Sequence, residues 1–113
     1  MQISEFFSPR VRAFITNKKR QVVIIKQLVG AEVNHILPGG GVSSGESIID
    51  ALHREIQEET GLLIRDPKLK IVREIIIDGY FRSHEYFFTA NHQSGELIIG
   101  IDPERIRIKL SFF

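Results

Sequence analysis

The sequence contains no cysteine. This absence excludes a disulfide framework, a thiolate metal site and a cysteine nucleophile, and it is compatible with the cytoplasm, which is the location we predict. The sequence also has little excess charge, because fifteen basic residues face fourteen acidic ones. No strong overall field therefore draws the protein to nucleic acid or to an anionic membrane. The longest purely aliphatic run, residues 22–25, is far too short to span a bilayer. We expect the partner to be a small molecule bound at a defined site, with no nucleic-acid polymer and no membrane involved.

The length of 113 residues predicts a single domain, residues 1–113, with one hydrophobic core. Two runs rich in β-branched residues, 10–15 and 21–27, are joined by Asn-Lys-Lys-Arg and predict an antiparallel hairpin. Residues 28–35 form a less regular connection in this interpretation. Residues 36–47 are dense in Pro, Gly and Ser, which predicts a loop.

A helix is predicted over residues 47–60, because apolar residues recur on one face and Gly61 follows as a helix-ending residue. The apolar positions of this face are Ile48, Ile49, Leu52 and Ile56. The second half of the chain predicts mainly strands, at residues 68–78, 83–90, 96–99 and 105–111. One strong helix among many strands predicts an α+β or α/β fold with a mixed sheet.

Three acidic side chains, Glu55, Glu58 and Glu59, crowd the end of this helix. Like charges at this spacing repel by about 0.2–0.5 kcal/mol per pair, and the negative end of the helix dipole adds to the cost. At 100° per residue the three project toward one patch, beside the apolar face, so at least one of them should be partly sheltered. The patch has two interpretations, a solvated acidic face or a site for a hard divalent cation such as Mg²⁺. The helix alone leaves both open.

The residues before the helix favour the cation site. Gly40 is followed by five residues and Glu46, then by seven residues and Arg-Glu-Ile-Gln-Glu-Glu-Thr-Gly-Leu, residues 54–62. This pattern resembles the signature of the Nudix hydrolases, G-x5-E-x7-R-E-U-x-E-E-x-G-U with U aliphatic, and every specified position is met, including the motif glycines Gly40 and Gly61. The loop is not a Walker loop, since no Lys-Ser or Lys-Thr follows its glycines.

The resemblance implies a fold and a chemistry. The fold is an α/β/α sandwich with a mixed sheet, and the reaction is hydrolysis of a diphosphate bond in a nucleoside diphosphate linked to another moiety, with Mg²⁺ or Mn²⁺. Carried over by position, Glu55, Glu58 and Glu59 resemble the catalytic metal ligands, and the Gly39 carbonyl resembles the backbone ligand. The bound cation would polarise a phosphoryl oxygen and lower the pKa of a metal-bound water.

Other roles follow less directly from the resemblance. Glu46 and Arg54 resemble a structural ion pair that ties the loop to the helix. The general base stays open among Glu58, Glu55 and Glu104. The alternative to an enzyme is a catalytically weak or inactive Nudix-fold module that binds nucleotides or regulates. Three mutually repelling acids argue against this alternative, whereas the short C-terminal end argues for it.

Substrate-binding candidates outside the motif are Tyr80 and Phe81, which could stack on a base or sugar, and Arg12, which could neutralise a phosphate. Each also has an ordinary interpretation, the aromatics as core and the arginine as surface. Nudix proteins usually continue into a C-terminal helix, whereas this sequence stops after its last predicted strand. An uncovered apolar face tends to recruit a partner, so we expect a homodimer or another oligomer. Light scattering that showed only monomer at micromolar concentrations would contradict this expectation.

Overall fold

A computed structural model describes residues 8–98, 101–102 and 105–112. Within these residues the chain forms eight strands and one helix. The elements are β1 Arg10–Thr16, β2 Val23–Val29, β3 Glu32–Ile36, β4 Gly39–Gly41, α1 Ile48–Thr60, β5 Leu63–Ile77, β6 Tyr80–Ser94, β7 Ile101–Asp102 and β8 Arg105–Phe112.

The strands form two four-stranded sheets. The first has the order β4-β1-β6-β5 and is mixed, because β1 runs parallel to β6 while its other neighbour is antiparallel. The second has the order β3-β2-β8-β7 and is antiparallel. The predicted α+β class with a mixed sheet is confirmed. Of the two helical layers that a Nudix sandwich implies, the described part of the chain contains one.

The core lies between the mixed sheet and α1. Alternate residues of β1, namely Val11, Ala13 and Ile15, are fully buried because successive strand side chains point to opposite faces. Leu52 and Ile56, four residues apart on α1, join the same cluster. Burying one such side chain contributes about 1.5–3 kcal/mol, so this contact fixes the helix on the sheet.

The helix begins and ends where the sequence predicts. The Ser47 hydroxyl accepts a hydrogen bond from the Asp50 backbone N–H at 3.0 Å, as an N-cap residue does. Gly61 takes a left-handed φ of 80°, and its N–H donates to the Gln57 carbonyl. One residue of the predicted apolar face, Ile49, is 41% exposed and lies outside the core. No described helix is long and apolar enough to cross a membrane.

The predicted hairpin between residues 10–15 and 21–27 is wrong. β1 and β2 belong to different sheets and share a single bridge, Thr16 with Val22. The segment between the two strands forms a compact loop. The Asn17 side chain closes this loop by accepting hydrogen bonds from the Lys19 and Gln21 N–H groups, at 3.0 and 2.9 Å. β-branched composition predicts strands but does not identify their partners.

Three further predictions differ from the structure. The predicted loop at 36–47 contains the short strand β4, which pairs with β1. Residues 28–35 are not irregular, since β2 and β3 form a hairpin through a two-residue turn in which Gly30 has a φ of 60°. The predicted strand at 96–99 is absent from its described part, 96–98, where the Ile98 N–H instead donates to the Thr60 carbonyl. Glu104 and the end of that predicted strand lie outside the described residues.

Gly61 is expected to tolerate no side chain. A Cβ there would lie 2.6 Å from the Glu96 carbonyl oxygen and 2.9 Å from Ile98 Cγ2, whereas a Cβ at Gly79, which has the same φ of 80°, would meet nothing within 4 Å. Both Gly61→Ala and Gly79→Ala incur the left-handed backbone cost of about 1–2 kcal/mol. Crowding should add roughly 1–3 kcal/mol for Gly61→Ala alone. Urea unfolding measures both variants, and equal losses of unfolding free energy would contradict the close packing at Gly61.

Candidate functional site

Arg54 of α1 joins the glycine-rich segment to the helix. Its Nε donates to Glu46 Oε2 at 2.7 Å and its Nη2 donates to Glu46 Oε1 at 2.8 Å, which is a bidentate ion pair. Nη2 also donates to the Gly41 carbonyl of β4 at 3.1 Å. One guanidinium therefore holds together the loop, the strand and the helix.

The charges of this pair are mutually stabilised. The hydrogen bond from Arg54 lowers the pKa of the Glu46 carboxyl to about 2, with a further contribution from the Ser43 backbone N–H, which donates at 3.1 Å. The hydrogen bond to Glu46 raises the pKa of Arg54 above its already high ordinary value. Both groups are charged throughout the physiological range.

Arg54 also contacts two of the three clustered acids. Its Nη1 donates to Glu55 Oε1 at 2.9 Å and to Glu58 Oε2 at 3.2 Å. The side chain of Glu55 is 18% exposed and that of Glu58 is 60% exposed. The structure therefore brings these two carboxylates to the same nitrogen, and the guanidinium offsets part of their repulsion.

The third acid, Glu59, reaches toward β4. Its Oε1 accepts a hydrogen bond from the Gly39 N–H at 3.2 Å. The Glu55 carboxylate lies against Gly40, where a Cβ would overlap with it. The absence of a side chain at Gly40 is thus a condition for the close approach of helix and strand. Glu55 and Glu59 are half-buried, as partial shelter of the cluster predicts.

No three acidic or histidine side chains of the described residues converge closely enough to hold a metal ion. The chemistry of the groups still fits Mg²⁺ or Mn²⁺, because carboxylate and backbone carbonyl oxygens are the ligands that hard divalent cations take. Glu58 projects into solvent, so its reorientation requires only the loss of its 3.2 Å hydrogen bond with Arg54 and of side-chain entropy, the latter up to about 2 kcal/mol. The ligand roles of Glu55, Glu58, Glu59 and the Gly39 carbonyl stay predictions.

A pocket of about 440 Å³ opens on the face of the mixed sheet that α1 does not cover. Its lining residues are Arg10, Arg12, Arg73, Glu74, Ile75, Ile76 and Glu85. Arg12 lines this pocket, and its contact with substrate stays a prediction. Tyr80 and Phe81 do not line it, and they lie 67% and 52% exposed beside the turn between β5 and β6.

Sequence reasoning missed Glu85, which is only 5% exposed. Its Oε2 accepts from Arg12 Nε at 3.1 Å and its Oε1 accepts from Arg73 Nε at 2.7 Å. The available signal was an acid placed within the aromatic-rich run of β6. Its partners could not be identified without the strand register, which aligns Glu85 with Arg10 and with Arg73.

The ion pair between Glu46 and Arg54 predicts how the free energy of unfolding changes at acid pH. Because the folded pKa of Glu46 lies at about 2, below its ordinary 4.5, the folded state binds fewer protons than the unfolded state between these values. The contribution of Glu46 to stability is therefore complete above about pH 4.5 and is lost as the pH falls toward 2. We expect the difference in unfolding free energy between wild type and Glu46→Gln to shrink from about pH 6 to about pH 3.

Urea unfolding at the two pH values measures this difference. Glu32→Gln, which removes one carboxylate from the exposed strand β3, controls for the change in net charge. A wild-type advantage over Glu46→Gln that stayed constant between the two pH values would contradict the assignment of the acid response to this pair.

Comparison with known proteins shows that the resemblance extends beyond the motif to the whole fold. The family profile described as NUDIX domain matches residues 7–110. A MutT NUDIX hydrolase from Burkholderia pseudomallei has a TM-score of 0.75 at 27% identity, over 94% of this chain and 81% of that chain. A NUDIX hydrolase from Nitrosomonas europaea, at 23% identity and a TM-score of 0.71 over 94% of this chain and 71% of that one, shows the same fold.

Two curated relatives match about half of the chain. An RNA pyrophosphohydrolase of Ruthia magnifica is 46% identical over 59 residues, which cover 52% of this chain and 32% of that protein. An uncharacterized Nudix hydrolase of Bacillus subtilis is 42% identical over 65 residues, 54% of this chain and 41% of that protein. The chain thus spans less than half the length of these relatives. The profile match over most of the sequence, with the same motif and fold, shows that the chain belongs to the Nudix family.

Proposed function

We propose that this protein hydrolyses a diphosphate bond in a nucleoside diphosphate linked to another moiety, with Mg²⁺ or Mn²⁺ as cofactor. The observation that carries the proposal is the grouping of Arg54, Glu55 and Glu58 from the middle of α1 toward its C-terminal end, with Glu55 against Gly40 of β4. Family membership supports the same reaction class. The name of the Ruthia relative, an RNA pyrophosphohydrolase, adds RNA to the substrates worth testing, although the sequence predicts no nucleic-acid polymer as a partner.

The cation would be held by Glu55, Glu58, Glu59 and the Gly39 carbonyl. When bound, it supplies polarisation of the phosphoryl oxygens and a lowered pKa for water at the site. The glycines of β4 present backbone without side chains, which lets a diphosphate come close to the strand. Arg54 keeps Glu55 in place from the other side through its Nη1 hydrogen bond.

Hydrolysis requires one proton acceptor. As water attacks phosphorus, a new P–O bond forms, the P–O bond to the leaving phosphate breaks, and a proton passes from the water to a carboxylate. Glu58 suits this role better than Glu55, because its carboxylate is the more exposed and is linked to Arg54 by the longer hydrogen bond, 3.2 against 2.9 Å. Glu104 lies outside the described residues and stays a third candidate.

The competing function is nucleotide binding without catalysis. The three glutamates favour the enzyme, since a binding module has no chemical need for acids that repel one another.

The cytoplasmic location stays a prediction. We also propose a homodimer, which the exposed apolar side chains of β5, among them Leu69 and Ile71 at 50% and 59%, support. Light scattering decides between monomer and dimer.

Removal of single carboxylates tests the catalytic proposal. We expect Glu58→Gln and Glu59→Gln each to lower kcat by about a hundredfold or more with Mg²⁺ present, while the circular dichroism spectrum is unchanged. The assay covers nucleoside triphosphates, ADP-ribose, dinucleoside polyphosphates, nucleotide sugars and a 5′-triphosphorylated oligonucleotide. Glu32→Gln is the matched control and should keep wild-type turnover. If both site variants retained normal turnover, the assignment would be wrong.

A further inference from the structure

The pocket on the second face of the mixed sheet is organised around a buried carboxylate. Taking a carboxylate out of water costs several kcal/mol unless it is paired and hydrogen-bonded. Glu85 meets this condition on both sides, since one oxygen accepts from Arg12 and the other from Arg73. The carboxylate therefore fixes two guanidinium groups in position beside the pocket.

These guanidinium groups retain donors for a further acceptor. A guanidinium carries five N–H donors in a rigid plane. Arg12 uses Nε toward Glu85 and Nη1 toward the Leu37 carbonyl, at 3.1 and 3.2 Å, and its Nη2 makes no hydrogen bond with the residues that the structure describes. Arg73 is 67% exposed at its side chain and lies over the Phe87 ring at 5.5 Å. A planar guanidinium group that is held in one orientation can donate two parallel hydrogen bonds to the oxygens of a phosphate.

The charge of the pocket favours an anion. Of the lining residues within the described part of the chain, three are arginines and two, Glu74 and Glu85, are glutamates. Among the lining residues that the structure describes none is aromatic, so these residues offer no stacking surface for a base. Its volume of about 440 Å³ exceeds what one phosphate needs and is within the usual range for small-molecule pockets.

The position of the pocket relates it to the clustered glutamates. β4 is an edge strand of the mixed sheet, and its Gly39 and Gly41 pair with Arg12 and Arg10 of β1. Arg10 and Arg12 alternate with the buried Val11, so they point away from the face that α1 covers. The glycines of β4 thus contact Glu55 of α1 on one face and are aligned with Arg10 and Arg12 of the pocket.

We propose that this pocket binds a second phosphate group, one carried by the part of the substrate that is not cleaved. The diphosphate lies on the α1 side of β4, and the second phosphate accepts hydrogen bonds from Arg12 and Arg73, which Glu85 positions. This inference rests on the proposed function for the identity of the reacting group. It selects substrates that bear a phosphate beyond the diphosphate, either a monoester on the ribose or the phosphodiester of a short oligonucleotide.

Binding of hydrolysis-resistant probes tests the pocket independently of catalysis. Isothermal titration compares adenosine 5′-monophosphate, adenosine 3′,5′-bisphosphate and a 5′-phosphorylated dinucleotide. We expect the wild type to bind at least one of the two probes with a second phosphate about tenfold or more tightly than the monophosphate. Preference for the bisphosphate identifies a ribose monoester, and preference for the dinucleotide identifies a phosphodiester. Equal affinity for all three probes would overturn the proposal.

Single substitutions test whether the preference for probes with a second phosphate arises in this pocket. Arg73→Gln changes an exposed side chain and should reduce the affinity ratio toward one, whereas Arg65→Gln, an exposed arginine of the same strand outside the pocket, should keep the wild-type ratio. Glu85→Gln tests the positioning role and should weaken only the probes with a second phosphate. A ratio unaffected by Arg73→Gln would also overturn the proposal. A chain that hydrolyses no diphosphate yet keeps the ratio would contradict the proposed function and leave the pocket assignment standing.

Discussion

The bidentate contact between Arg54 and Glu46 is the interaction on which the site depends. It fixes the loop after β4 to the middle of α1, and the same guanidinium reaches the Gly41 carbonyl and the carboxylates of Glu55 and Glu58. An arginine suits this position because it keeps its charge and offers several donors in one plane, which a lysine does not. Without this contact the acids would repel one another at the helix end with no fixed backbone beside them.

The glycine strand β4 has an acidic side chain of α1 on one face and an arginine of β1 on the other. Its edge position and lack of side chains let Glu55 approach Gly40 on one face. On the other face, Arg12 is aligned with Gly39 and is held by Glu85. Acidic groups thus line one side of the strand and a net positive pocket lines the other. A nucleotide with phosphates at two positions would match this distribution of charge once a divalent cation is bound to the acids.

The sequence predicted α1, the glycine that ends it and the grouping of the motif residues, because these depend on local periodicity and on spacing within 23 residues, 40–62. It did not predict that β1 pairs in parallel with β6, since nothing in residues 10–15 encodes a partner some seventy positions away. Glu85 escaped notice for the same physical reason. Its buried ion pairs exist only through the register of β1, β6 and β5, which depends on tertiary packing.

The central claim is that the acids of α1 form a cation site, and thermal unfolding with and without Mg²⁺ at constant ionic strength tests it most directly. Binding to the native state should raise the Tm, with a stabilisation of about 2.7 kcal/mol when Mg²⁺ is at a hundredfold excess over its Kd. The rise should be smaller for Glu59→Gln and unchanged for Glu32→Gln. A wild-type Tm that did not respond to Mg²⁺ or Mn²⁺, or a response that Glu59→Gln left intact, would contradict the account.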